Sequence, residues 1–459
     1  MNIFLHHRDL RYYDNTTMIN QIKNEKNVIP IFIFDPIQID PNINTYFSNN
    51  LVQFMIESLI EYSKSIEKKK GQLYFFYGNT MEIIEYLHTE IKINSIGFNY
   101  EYSAFGKKRD EIIKNYCIEK NITMYCNEDM LLFDVLNNQT LNPKNKKPFL
   151  VFTYYYNYII NNLTVKEINK TFKFKFNKEP KLEKIKYYFT DLKSLYIENN
   201  NINVHGGRSY ALTILKNNNI FNNYSKMRNM LTYKTTMLSA YINLNVISIR
   251  EVYFAFINSS DLIRELIFRE FYHTIIHYHP YVNHKNFYSK YDNIKWNNNI
   301  TYFNAWKKGK TGYPIIDAAI QQLLTTGYMH NRMRMMVASF LIKNLQIDWR
   351  YGEKFFAQHL VDYNIYNNWG GWTNIADNAP SSQSYFRVFS PEAHSRKYDP
   401  NCEYIKFWLP VLKDISNKDI HMWEHNHVHH LENGLKYYKP IIDFNKSRDE
   451  FLKFYKKYM

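Results

Sequence analysis

Short apolar runs open the chain, separated by segments whose apolar residues recur every three or four positions. The runs are NIFLHH near the start, NVIPIFIFDP (27–36), QLYFFYG (72–78), INSIGFNYEY (93–102) and NITMYCNED (121–129). Runs this short, rich in Ile, Val, Phe and Tyr and bounded by Asn, Gly or Pro, predict strands. The segment NLVQFMIESLIEYSKSI (50–66) instead has the spacing of an amphipathic helix. Strands alternating with helices predict a parallel, doubly wound sheet, an α/β domain over residues 1–130. Ligands of such sheets sit at the carboxyl ends of the strands. No GxGxxG or GxxxxGK[ST] follows any of these runs, so ordinary dinucleotide or P-loop binding is unsupported.

Residues 131–200 are rich in Asn and Lys, with NPKNKKP as the clearest loop, and are read as an inter-domain linker with some helix. Beyond it strand signals nearly vanish. Segments such as YPIIDAAIQQLLTTG and HNRMRMMVASFLIKNL are apolar on one side, and residues 201–459 are expected to form a larger all-α domain. A length of 459 residues exceeds one core, and 45% hydrophobic with 17% aromatic content supports a large interior. The three cysteines, Cys117, Cys126 and Cys402, have no metal-ligand spacing and are too few for a disulfide framework. A reducing intracellular setting, cytoplasmic or nuclear, fits them. Neither a signal peptide nor a run near the length of a membrane span is expected. The formal charge of +15 suits a polyanion such as nucleic acid. Lys, Asn, Ile and Tyr are also what an AT-rich genome encodes, so charge alone does not decide the matter.

Four stretches carry candidate chemistry. In YKTTMLSAYINLN (233–245), Thr235, Thr236 and Ser239 place hydroxyls near an expected helix start, where an anion such as phosphate or a plain N-cap would use them. In RELIFREFYHTIIHYHP (264–280), helical spacing puts Glu265, Phe268, Arg269 and Tyr272 on one face; a surface Glu–Arg pair is the alternative. In MHNRMRMM (329–336), Asn331, Arg334 and Met335 share a face, and Asp362 could pair with Arg334. In NIYNNWGGWTNIAD (364–377), two glycines and two tryptophans fall within four residues, which suggests backbone held against something bulky, with a stacking partner or a packed core beside it. The segment HMWEHNHVHH (421–430) reads as a solvated His-rich loop rather than a metal site.

In sequence, the run from Gly309 to Trp372 resembles the DNA photolyase and cryptochrome family, most closely class I-type photolyases acting on cyclobutane pyrimidine dimers. HHRDLRYYDNTTMI, GGRSYAL (206–212), REFY (269–272) and SYFRVFSP (384–391) are similar to that family in the same order. The resemblance implies a flavoenzyme that binds FAD in the helical domain. Excited by blue light, reduced flavin would pass an electron to a lesion flipped out of DNA. By position, Tyr224, Thr235, Thr236, Leu238 and Ser239 would bind FAD phosphates and ribityl chain. Glu265 and Arg269 would lie in the pocket, Arg334 with Asp362 beside the ring, Asn364 near its N3 edge and Asn368 opposite N5. Asn331 and Met335 would face the dimer, with Arg228, Phe268, Tyr272 and Arg332 as further DNA or lesion contacts. Trp372, Trp349 and Trp296 match the family's chain of indoles that carries electrons to photoexcited flavin. A second, antenna chromophore would bind the N-terminal domain, where FNYEYSAFGKKRD (98–110) is a candidate wall. The partner would be damaged DNA held without sequence preference, the protein a monomer and no membrane involved.

Departures from the family are specific. Relatives place Trp where this chain has Phe268 and Asn374, Asp where it has Asn364, and Arg, Pro and Gly where it has Met237, Ala240 and Asn245. The loss of both stacking indoles, one to Phe268 and one to the amide of Asn374, supports an alternative, a blue-light photoreceptor without repair. The absence of the family's (6-4)-type histidines at Asn331 and Met335 argues against (6-4) repair.

Overall fold

The computed structural model describes residues 1–170, 172–283, 285–381 and 384–459. Each of the five apolar runs holds one strand: β1 (Asn2–His6), β2 (Val28–Phe34), β3 (Tyr74–Tyr77), β4 (Ser95–Asn99) and β5 (Thr123–Asn127). All pair in parallel in the order β3-β2-β1-β4-β5, with Leu5 opposite Ile31 and Phe98 opposite Cys126. β2 is buried along its whole length, as a central parallel strand requires. The chain winds outward in one direction from β1 and then in the other from β4, the topology of a doubly wound sheet.

The helices that follow the strands begin where a side chain can accept a free backbone N–H. Asn15, Ser48, Asn79 and Ser103 cap the helices Thr16–Asn24, Asn49–Glu67, Thr80–Ile91 and Ala104–Glu119 in this way. An apolar core of β-strand and helix residues, among them Ile3, Ile31, Phe76, Ile84, Ile96 and Ile113, closes around the sheet.

Two compact units emerge, and neither is continuous in sequence. The first comprises residues 1–199, 204–220 and 237–278; the second comprises 200–203, 221–236 and 279–459. Residues 131–199, read as a linker, belong to the first unit and include a helix, Phe152–Asn162. The Ser260–Tyr278 helix also belongs to it. Buried charge fastens these late residues to the early ones. Arg250 donates to Asp14 at 2.8 Å and to Asp129 at 2.8 Å, and Asp129 also pairs with the buried Arg11. Glu270 accepts the backbone N–H of Leu132 at 2.5 Å, and burial pushes its carboxyl up to about 7.

The second unit is built of helices. The apolar stripe of HNRMRMMVASFLIKNL forms the Asn331–Ser339 helix and then widens into a π-helical turn, Phe340–Asn344. The His-rich segment expected to be a loop is largely helical, Trp423–Glu432, because Trp423 is buried and its indole N–H donates to the carbonyl of Tyr438 at 2.9 Å. That anchor corrects the loop reading. Among the described residues, no helix is long and apolar enough to cross a membrane.

Candidate functional site

Arg334 and Asp362 are the charged centre of the site in the second unit. The guanidinium gives both carboxylate oxygens hydrogen bonds of 2.9 and 3.1 Å, while its Nε donates to the carbonyl of Met329 at 2.8 Å. The Asp362 carboxylate is buried and holds the Arg334 proton more firmly than usual. A charge-assisted pair with a second anchor on one partner fixes the guanidinium plane.

Around this pair lie the amides expected from the sequence. Asn331, Arg334, Met335, Asp362, Asn364, Asn368 and Trp372 line a single cavity. Its walls come from the Asn331–Ser339, Trp349–His359 and Ile365–Ile375 helices and the turn before the last. Asn364 is the N-cap of that last helix: its side-chain oxygen accepts from Tyr366 and Asn367 at 3.1 Å each. An amide performs this cap as a carboxylate does, so the departure from Asp leaves the helix start intact. Asn368 gives its amide N–H groups to Glu353, to the backbone carbonyl at 2.9 Å and the carboxylate at 2.8 Å. Both bonds use the amide nitrogen and leave the carbonyl oxygen as the acceptor of this side chain. Gly371 also faces this cavity, and a Cβ built there meets nothing within 4 Å. A flat heteroaromatic ring with carbonyl and N–H edges fits such a wall of amides, one ion pair and a bare glycine.

The three expected relay indoles occupy distinct settings. Trp372 is buried, and its ring lies on Gly352, where an added Cβ would come within 2.1 Å of it. Gly352 sits one turn after Trp349 on the same helix. Trp349 is buried with its N–H on Asn286 at 3.1 Å, and Trp296 is half-buried against Phe454 and Tyr455. Trp369 is buried as well.

Other expected residues of this unit are engaged locally. Arg332 donates to Asn229 at 2.6 Å and lies over the Tyr398 ring. Arg228 lies over Tyr224, and Thr235 is 3.4 Å from the Tyr328 hydroxyl. Thr236 is half-buried nearby in sequence. His330 caps the Asn331–Ser339 helix through Nδ1; burial, Arg332 and Arg334 push it down to about 4, so the ring is neutral.

The remaining expected residues belong to the first unit. Leu238 is buried and Ser239 exposed at the start of a short helix, Ser239–Asn243. Asn245 has φ +43°, the left-handed region where the family favours Gly and where Asn is the best-tolerated substitute. On the Ser260–Tyr278 helix, Glu265 is exposed, Tyr272 buried, and Arg269 donates to the carbonyl of Met130 at 3.2 Å. Phe268 is half-buried and rests 4.1 Å from Phe152, with Tyr272 edge-on at 5.1 Å.

At the carboxyl ends of the strands, His7, Arg8, Glu101 and Arg109 line a second crevice. Arg109 donates to His7 Nδ1 at 2.7 Å and to Glu101 at 3.2 Å. Burial and the Arg109 charge keep His7 neutral well below its ordinary range, with its proton on Nε2. His7 Nε2 and Arg8 Nη1 find no partner among the described residues.

Sequence reasoning missed Glu353, Gly352 and Trp306. None belongs to a local motif, and each matters through a neighbour distant in sequence.

Residues 262–457 match the family described as the FAD binding domain of DNA photolyase, and residues 2–170 match DNA photolyase. The chain is 33% identical to deoxyribodipyrimidine photo-lyase of Buchnera aphidicola from Acyrthosiphon pisum, over 99% of this chain and 96% of that one. An archaeal photolyase from Sulfolobus tokodaii, whose structure holds two FAD molecules, superposes with a TM-score of 0.88 at 33% identity over the full length of both. A Synechocystis cryptochrome shares the fold, with a TM-score of 0.87 at 22% identity over 99% of each chain.

Proposed function

The chain belongs to the DNA photolyase family, and from that premise we propose that it repairs cyclobutane pyrimidine dimers in DNA by light-driven electron transfer. The observation that carries this reading is the cavity in which Arg334–Asp362, four asparagines and Trp372 line one space. FAD, held there, would supply the photochemistry as a light-excited one-electron donor to the lesion. The protein orients and tunes the cofactor rather than doing acid–base work.

Arg334 and Asp362 would place charge beside the ring, and Asn364 and Asn368 would offer it amide hydrogen bonds. Tyr224, Thr235, Thr236, Leu238 and Ser239 take the phosphates and ribityl chain. By family position, Glu265 and Arg269 would add to the holding of the cofactor. Asn331 and Met335 meet the dimer, Phe268 and Tyr272 give it an apolar face, and Arg228 and Arg332 hold phosphates. Such backbone contacts position DNA without reading its sequence, and the lesion enters by flipping out of the duplex. Trp372, Trp349 and Trp296 reduce the oxidised cofactor in light. In the first unit, His7 and Arg8 offer donors suited to the acidic group of a second chromophore. Residues 1–130 serve that antenna role and 201–459 the catalytic one, in a monomer that works inside the cell.

Asn374, whose amide donates to the Ser381 carbonyl at 3.1 Å, favours a second reading. Without an indole there, the protein would be a photoreceptor that keeps flavin and relay but repairs nothing. One experiment separates the two. The purified protein is reduced and illuminated with an oligonucleotide bearing one thymine dimer. Flavin bands and loss of the dimer are expected. Flavin without dimer loss supports the photoreceptor, and a protein devoid of flavin overturns both.

A further inference from the structure

Trp372 meets an indole that is not among those expected of the relay. The ring of Trp306 meets it edge-on, with centroids 6.2 Å apart and planes at 72°. Trp306 is fully buried, and its N–H donates to the carbonyl of Val337 at 3.1 Å. A carbonyl on that N–H stabilises the indole when it carries positive charge. Phe303 stacks on Trp306 at 6.1 Å and 15°, and Tyr351 meets Phe303 edge-on at 5.4 Å. Tyr351 is 47% exposed, so this line of rings runs from a buried indole to a phenol in water.

We propose that Trp306 and Tyr351 form a second branch of the electron relay, leading from Trp372 to solvent beside the branch through Trp349. The proposal rests on the flavin and relay reading above. The oxidant is photoexcited oxidised flavin, which takes one electron from Trp372. Trp306 refills Trp372 with one electron, and Tyr351 refills Trp306. Tyr351 loses its electron together with its hydroxyl proton: the O–H bond breaks, the proton goes to water and a neutral phenoxyl remains. An external thiol returns an electron and a proton to Tyr351, restoring its O–H bond, and the thiyl radicals left by two turnovers pair as one disulfide. Phe303 is a spacer rather than a station, because a phenyl ring is not oxidised under these conditions. The ammonium of Lys307, 4.7 Å from its centroid, disfavours positive charge there further. Loss of the phenol proton at the water boundary makes the last hop slow to reverse, which a buried indole cannot do.

The test uses the holoprotein with oxidised flavin. After a blue flash, electron paramagnetic resonance should show a phenoxyl signal in the wild type that falls at least about fivefold in Tyr351→Phe. Under steady light with thiol, Trp349→Phe should slow photoreduction several-fold yet leave it measurable. Adding Trp306→Phe should bring it to background. A wild type with no phenoxyl signal, a signal unchanged in Tyr351→Phe, or Trp349→Phe already at background overturns the branch. Tyr351 lies at the surface, so the resonance measurement stands even if Trp306→Phe does not fold. Trp372→Phe separates the two levels of argument: unchanged photoreduction there removes the whole relay, whereas its loss with no phenoxyl removes only the branch.

Discussion

His330 shows how one side chain serves the site without touching a ligand. It caps the helix that carries Asn331, Arg334 and Met335, and it must be neutral to accept the Arg332 N–H at Nδ1. Unfolded, the ring binds a proton below about 6.5. Folded, burial with Arg332 and Arg334 delays that until about 4. Stability from this group is therefore complete above the unfolded value and is lost as pH falls from there towards the folded one. The loss runs at up to ~1.4 kcal/mol per pH unit. Asn caps as well and does not titrate, so His330→Asn should lose less stability than the wild type between about pH 7 and about pH 5. Denaturant midpoints at the two values would show it, and parallel losses would refute it. At Asn374 the expected change is a gain: Asn374→Trp restores a stacking partner worth about 1–3 kcal/mol of lesion affinity. Binding of a dimer-bearing strand in the dark measures it, and no tightening would mean that the position does not face the lesion.

At the scale of elements, the fit of the Trp349–His359 helix to the Ile365–Ile375 helix turns on Gly352. Its missing side chain makes room for the Trp372 ring. Gly352→Ala should cost about 1–3 kcal/mol through overpacking and should slow photoreduction by moving that indole. Unchanged thermal stability and rate would show that the ring can shift freely. This element pair also marks where the sequence was legible. Strand and helix alternation at the start is local, and all five strands fall inside their apolar runs. Asn331, Arg334 and Met335 were legible because their spacing within one helix puts them on a shared face, whereas Asn364 and Asn368 were expected only from the family resemblance. Glu353 meets Asn368 fifteen residues on, Gly352 and Trp306 meet Trp372 farther still, and no period in the chain encodes a partner that far away. The π-helical turn at Phe340–Asn344 escaped for a related reason. Lys343 there is buried by donating to the carbonyls of Tyr385 and Arg387, so a distant segment decides the backbone. The His-rich helix was misread because composition outweighed one buried tryptophan.

At the scale of the whole molecule, a charge of +15 should give binding to undamaged duplex that weakens steeply with salt. The logarithmic slope is about −0.9 for each phosphate neutralised. A slope near zero would assign the excess Lys to base composition of the gene rather than to DNA. The discontinuity of the first unit has a different consequence, one of timing. A ribosome delivers the sheet early, yet Asp14 and Asp129 wait for Arg250, and Leu132 waits for Glu270. Domains generally mature in order of synthesis. Here the opening 199 residues should stay protease-sensitive on the nascent chain until residue 278 has emerged, so translation must run past the middle of the message before the first unit can lock.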